Sequence, residues 1–232
     1  MNKFILAAGM AAAATSTTES YAADERFHPI EKVCIEYVMK GQIMNGTTYR
    51  CHRKFGLETF EVQNMEMGIG GIKQTQNSHN ITIKDTIYAI DTVKQTGTIS
   101  TNPMYEHFKN AVARGDQSAE AIGRTFLSTM GYAPDGTSKT IDGVNCNGYR
   151  SQMVGYACLT EELLMLEQEF LGNRQTAVRV AIGDDGGDDN YTLWQRVNMR
   201  QGLDLSSGIN VQDLTNGNAN VQDILKQLQQ VK

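Results

Sequence analysis

The feature that most constrains this chain is a run of short alternating segments over residues 31–101. Val33, Ile35, Tyr37 and Met39 alternate with Cys34, Glu36, Val38 and Lys40. Period two puts successive side chains on opposite faces of a pleated strand. Gly41 and Asn45-Gly46 follow as turn signals. Tyr49, Cys51, Arg53 and Phe55 then alternate with Thr48, Arg50, His52 and Lys54, and Gly56 ends the run. Phe60 with Val62, Ile81 with Ile83, and Tyr88, Ile90 and Thr92 mark further strands. The pattern predicts an antiparallel meander with one apolar and one polar face.

At Asn102-Pro103 the texture changes. Asn caps helices and Pro suits the first helical turn. Met104, Phe108 and Val112 form one stripe that Gly115 stops; Asp116 caps a second run with Ala119, Ile122, Phe126, Leu127 and Met130, closed by Gly131. Two short amphipathic helices are predicted, and the apolar face of the meander is where they are expected to lie. Strands return after a turn at Pro134-Asp135-Gly136: residues 140–146, a hairpin about Gly155, residues 161–171, residues 176–182 and residues 191–197. The acidic stretch over residues 183–190 reads as a solvated hairpin tip, because it lacks the spacing of a calcium loop.

Residues 1–22 have the character of a secretory signal: a short basic start, an apolar run from Phe4 to Ala14, and Ser20 and Ala22 at the cleavage positions. The apolar run is shorter than the roughly 20 residues of a spanning helix. The expected organisation is a signal peptide over residues 1–22, one β-rich domain over 23–200, and a linker with an amphipathic helix over 201–232. That last stretch carries Val221, Ile224, Leu225, Leu228 and Val231 on one stripe. A soluble, exported, periplasmic protein without a transmembrane segment is expected. The net charge of −5 and the lack of a basic run speak against nucleic acid as a partner.

Cys34, Cys51, Cys146 and Cys158 are an even number in an exported chain, which argues for two disulfides and allows three pairings. Intervening turns bring Cys34 near Cys51 and Cys146 near Cys158, and these local pairs are preferred. No C-x-x-C or matching His spacing supports a metal, and no cofactor is expected. No G-x-S-x-G, H-E-x-x-H, P-loop or dinucleotide fingerprint is present. Cys51 and His52 are strand neighbours that point to opposite faces, so they cannot form a catalytic couple. The chain is read as not an enzyme.

Tyr37, Gly41, Gly46-Thr47, Phe55-Gly56, the run Tyr88-Ala89-Ile90-Asp91 before Thr98, and Asp142-Gly143 before Cys146 resemble an exported bacterial family of unknown function. That family is related to the periplasmic lipoprotein carriers and their outer-membrane acceptors. The resemblance covers the chain to about Val197, and its motifs are turn residues and aromatics. It implies an α+β fold: a curved antiparallel half-barrel sheet packed on two or three helices around an apolar pocket that holds acyl chains. The carriers' acyl-handling residues cannot be placed on this sequence, and the two disulfides and the long tail are its own. The leading expectation is a periplasmic binding or carrier protein for a lipid, a lipoprotein acyl chain or another apolar ligand, lined by Ile35, Tyr37, Met39, Phe60, Phe108 and Phe126. The alternative is a non-catalytic envelope protein that binds a protein partner through its acidic loop or C-terminal helix.

Overall fold

The computed structural model describes residues 26–69, 72–113, 119–152, 154–170 and 172–202. The expected signal peptide, the Gly115 stop, the Asp116 cap and nearly all of the expected tail helix lie outside these residues. So do the side chains of Val112, Ile122 and Phe126.

The strands are β1 Val33–Gly41, β2 Met44–Arg53, β3 Glu58–Ile69, β4 Ile72–Ile83, β5 Thr86–Asp91, β6 Thr96–Thr101, β7 Ala133–Ile141, β8 Val144–Ser151, β9 Gly155–Leu159, β10 Met165–Phe170, β11 Asn173–Ile182 and β12 Asn198–Gln201. They form one open twelve-stranded sheet in the order β12-β6-β5-β4-β3-β2-β1-β11-β10-β9-β8-β7. Every pairing is antiparallel except β12 on β6. Helices α1 Pro103–Ala113 and α2 Ala119–Thr129 connect β6 to β7, and α3 Asp188–Thr192 runs into a 3-10 turn, Leu193–Arg196. The architecture is α+β, a mostly antiparallel sheet with three short helices.

Register explains how the sheet buries its apolar residues, because residues directly opposite across antiparallel strands share a face. Cys34 faces Cys51, Cys51 faces Phe60, Phe60 faces Ile81, Ile81 faces Tyr88 and Tyr88 faces Ile99. One rung of apolar residues therefore crosses six strands. Cys51, Phe60 and Ile81 are fully buried. The Cys34–Cys51 disulfide joins two residues already opposite each other, with Cα atoms 4.1 Å apart. The second disulfide, Cys146–Cys158, ties β8 to β9. Both local pairs expected from the sequence are present.

Three expectations are corrected. Residues 191–197 are not a strand: they are the end of α3 and the 3-10 turn. Tyr191 and Trp194 sit one helical turn apart, and a short helix can lay both on the sheet where a strand would point them oppositely. These residues also correct the helix placement, because they, not α1 and α2, cover the apolar rung. Tyr191, Leu193, Trp194, Val197 and Met199 pack on Phe60, Ile81 and Ile90. Finally, Pro134-Asp135-Gly136 does not separate two elements. It is an irregularity within β7, where the Asp135 carboxylate accepts from the Thr137 amide and Gly136 takes φ 78°.

A second buried cluster joins Val33, Ile35 and Tyr37 of β1 to Leu164, Leu166, Ala177, Tyr156 and the Cys146–Cys158 pair. The two clusters take alternate residues of β1. The 0% exposed Phe60 ring sits at the middle of its rung. Phe60→Ala should cost about 3–5 kcal/mol by urea unfolding, and Met39→Ala, on a half-buried side chain, distinctly less.

Candidate functional site

The face of β1 to β4 opposite the apolar rung is mixed. Ile35 faces Arg50, Arg50 faces Glu61 and Glu61 faces Asn80. In the next rung Tyr37 faces Thr48, Thr48 faces Gln63 and Gln63 faces Ser78. Apolar side chains on β1 thus give way to hydrogen-bonding ones across β2, β3 and β4.

These polar groups are connected. The Arg50 guanidinium pairs with Glu61 and lies 6.0 Å from the centre of the Tyr37 ring. The Gln63 amide donates to the other Glu61 oxygen. Gln175 of β11 reaches past β1 and donates to Thr48 Oγ1 at 3.2 Å, and Gln168 donates to Gln175 at 2.6 Å. Thr48 and Gln175 are buried, so their bonding satisfies groups that water does not reach. The Tyr37 hydroxyl donates to the Met165 carbonyl at 2.8 Å, and burial pushes its ionisation up to about 12. It remains a neutral donor. Ser78 Oγ is buried with no hydrogen-bond partner.

The chain between the N-terminal stretch and β1 lies at one end of this face. The Phe27 and His28 amides both donate to the Phe55 carbonyl at 2.9 Å. The Ile30 amide donates to His28 Nδ1 at 3.1 Å, and His52 Nε2 bonds the Ile30 carbonyl at 3.1 Å. A carbonyl only accepts, so His52 carries its proton on Nε2; an amide only donates, so His28 Nδ1 is unprotonated. The two rings are 4.5 Å apart. The Phe27 ring packs tilted against Phe108 of α1, with centroids 3.9 Å apart, and meets Tyr105 at 5.6 Å. α2 meets the β9–β10 connection, where Arg124 donates to the Glu161 carbonyl at 3.2 Å and Gly123 approaches Leu163.

The six residues expected to line a pocket therefore divide. Ile35, Tyr37 and Met39 share this face, and Phe108 joins its edge through Phe27. Phe60 lies on the opposite face, against Tyr191. Phe126 lies on α2, with its side chain outside the described residues. The polar ladder is not among the sequence expectations. Its signal is present in the alternation of Thr48, Arg50 and His52, but only the fold shows which residues of β3 and β4 stand opposite them. A shallow recess on the opposite face, beside Cys34, Tyr49 and Arg179, encloses almost no space, far below the several hundred Å³ of ordinary ligand sites. Among the described residues no group of three His, Cys, Asp or Glu side chains is placed to hold a metal.

No family model and no curated protein matches the chain. Among solved structures, it is similar to the crystal structure of an uncharacterized conserved protein from Thermus thermophilus. The identity is 8% and the TM-score 0.44, over 75% of this chain and 92% of that one. It is also similar to the crystal structure of MucB, at 12% identity and a TM-score of 0.38, over 73% of this chain and 58% of that one. Both are distant likenesses of shape and say nothing of function.

The histidine pair gives this end of the face a pH dependence. Burial first, and then the neighbouring His52, lower His28 to about 4 from an ordinary 6.5. Burial also lowers His52. The unfolded chain takes up these protons before the folded one does. Stability is therefore full above about pH 6.5 and is lost as pH falls towards 4, on the order of 3 kcal/mol for His28. Urea unfolding at a series of pH values should show the loss, and His28→Phe should flatten it.

Proposed function

We propose that this chain is an exported, non-catalytic binding protein whose ligand is amphipathic, with a polar head on the Arg50–Glu61–Gln63 ladder and an apolar part against the half-buried Met39, where β1 leaves the buried Ile35 and Tyr37. The observation that carries the reading is the change of character across a single face, from aliphatic β1 to hydrogen-bonding β2, β3 and β4. A purely apolar ligand would take water from the Arg50–Glu61 charges and give no hydrogen bond in return, which is costly. A headgroup that donates and accepts hydrogen bonds would not. Ligand sites of this type combine an apolar lining with a few placed polar groups. A lipid, or the acylated end of a lipoprotein, meets both demands.

Two further features support the setting. Both disulfides lie within local strand pairs, and such bonds persist in oxidising compartments. Among the described residues no helix is long and apolar enough to cross a membrane.

Native mass spectrometry of protein purified from the periplasm without detergent tests the proposal. A lipid-sized adduct, released on unfolding, is the expected result. Arg50→Ala should weaken its retention about tenfold, the scale of one charge-assisted hydrogen bond. Glu36→Ala, on the opposite face of β1, should leave retention unchanged. A ligand-free protein that also fails to take up added lysophospholipid would overturn the proposal.

A further inference from the structure

The opposite face of the sheet carries a surface of its own, closed by a segment of the same chain. Phe60, Ile81, Ile90 and Tyr88 lie under residues 186–199. The Tyr191 ring meets Phe60 edge-on at 5.0 Å, and Trp194 stacks on Tyr88 at 4.5 Å and 14°. Arg53 latches the segment: it pairs with Asp188 and Glu58 and lies 3.8 Å from the centre of the Tyr191 ring. The Asp188 side chain is 86% exposed, so the latch is open to solvent.

Three observations mark the segment as separable from the sheet. It is joined to β11 through Gly183, Gly186 and Gly187, all at positive φ (91°, 74° and 81°), conformations that glycine adopts without strain. Its far end is held by the four-residue β12, the one parallel pairing in the sheet. Its closure leaves Tyr191 Oη and Trp194 Nε1 buried without hydrogen-bond partners, two polar groups that lifting would return to water. α3 has five residues and the 3-10 turn four, too short to persist as helix once lifted.

We propose that residues 183–201 are a detachable strap, and that the face beneath docks a segment of another polypeptide with aromatic residues one helical turn apart and an acidic residue ahead of them. The strap is the template for that chemistry. Tyr191 and Trp194 supply the aromatic pair, Leu193, Val197 and Met199 the aliphatic flank, and Asp188 the charge for Arg53. The partner replaces the strap contact for contact, so the chain inhibits itself until the partner arrives. This surface is distinct from the ladder face, and its test does not depend on the ligand proposed there.

Hydrogen exchange on the unmodified full chain is the first half of the test. Strap amides should exchange about two orders of magnitude faster than those of β3 and β4, the mark of a sub-global opening. Exchange no faster than those strands would overturn the proposal. The second half is fluorescence anisotropy with a fluorescein-labelled peptide of residues 186–202. Gly186→Val drives a side chain into the Phe60 ring, 2.6 Å from an added Cβ. Tyr191→Ala removes the strap's main anchor without touching the sheet. Both variants should bind the peptide at least about tenfold more tightly than the parent, and a peptide with Trp194→Ala should bind weakly. If Gly186→Val does not fold, Tyr191→Ala decides. Failure of a folded variant, one with parental protection in β1 and β11, to take up the peptide would overturn the proposal.

Discussion

Cys34, Cys51, Phe60, Ile81, Tyr88 and Ile99 stand side by side across six strands, and strand register is what keeps them there. A slip of one residue in any pair would turn that strand's share of the rung to the other face. The Cys34–Cys51 bond fixes the first pair covalently. Long ladders of ten and twelve partners carry the register through β2, β3 and β4. With that rung apolar, it needs a cover, and residues 186–199 provide one. The other face is then free to carry polar groups.

That division separates two jobs that a sheet with one apolar face would combine. The rung with its cover supplies core burial for β2 to β6. The ladder face supplies a surface where Arg50, Glu61 and Gln63 are mutually paired yet stand next to aliphatic side chains of β1. On the β8 to β11 side the core draws instead on Val33, Ile35 and Tyr37, so β1 contributes to both cores through alternate residues. β1 is therefore the strand that both halves share.

Much of this was legible before the fold was known. The alternation from Val33 to Lys40 gave β1 its two faces, Asn102-Pro103 gave the start of α1, and the hairpin spacings gave both disulfide pairs. What stayed hidden has physical reasons. The start of β4, from Lys73 to Ser78, is all Lys, Gln, Thr, Asn and Ser, with no apolar residue, and pairs because its neighbours hold it in register. Residues 191–197 alternate aromatic, polar and aliphatic types in a manner that suits a strand. Only the Tyr191–Trp194 spacing, with Asp188 and Asp189 ahead of it, favours a short helix. Placement of the helices required knowing what else was available to cover Phe60, which is a question of tertiary competition.

Residues 186–199 cover the apolar rung of the sheet. Trp194 is the single tryptophan of the chain and sits inside that cover. Its fluorescence is therefore a direct reading. Blue-shifted emission, weak quenching by acrylamide, and a shift to the red in urea that comes no later than global unfolding are expected. Red-shifted emission with free quenching in the native protein would show that Trp194 does not lie on the rung and that something else covers it.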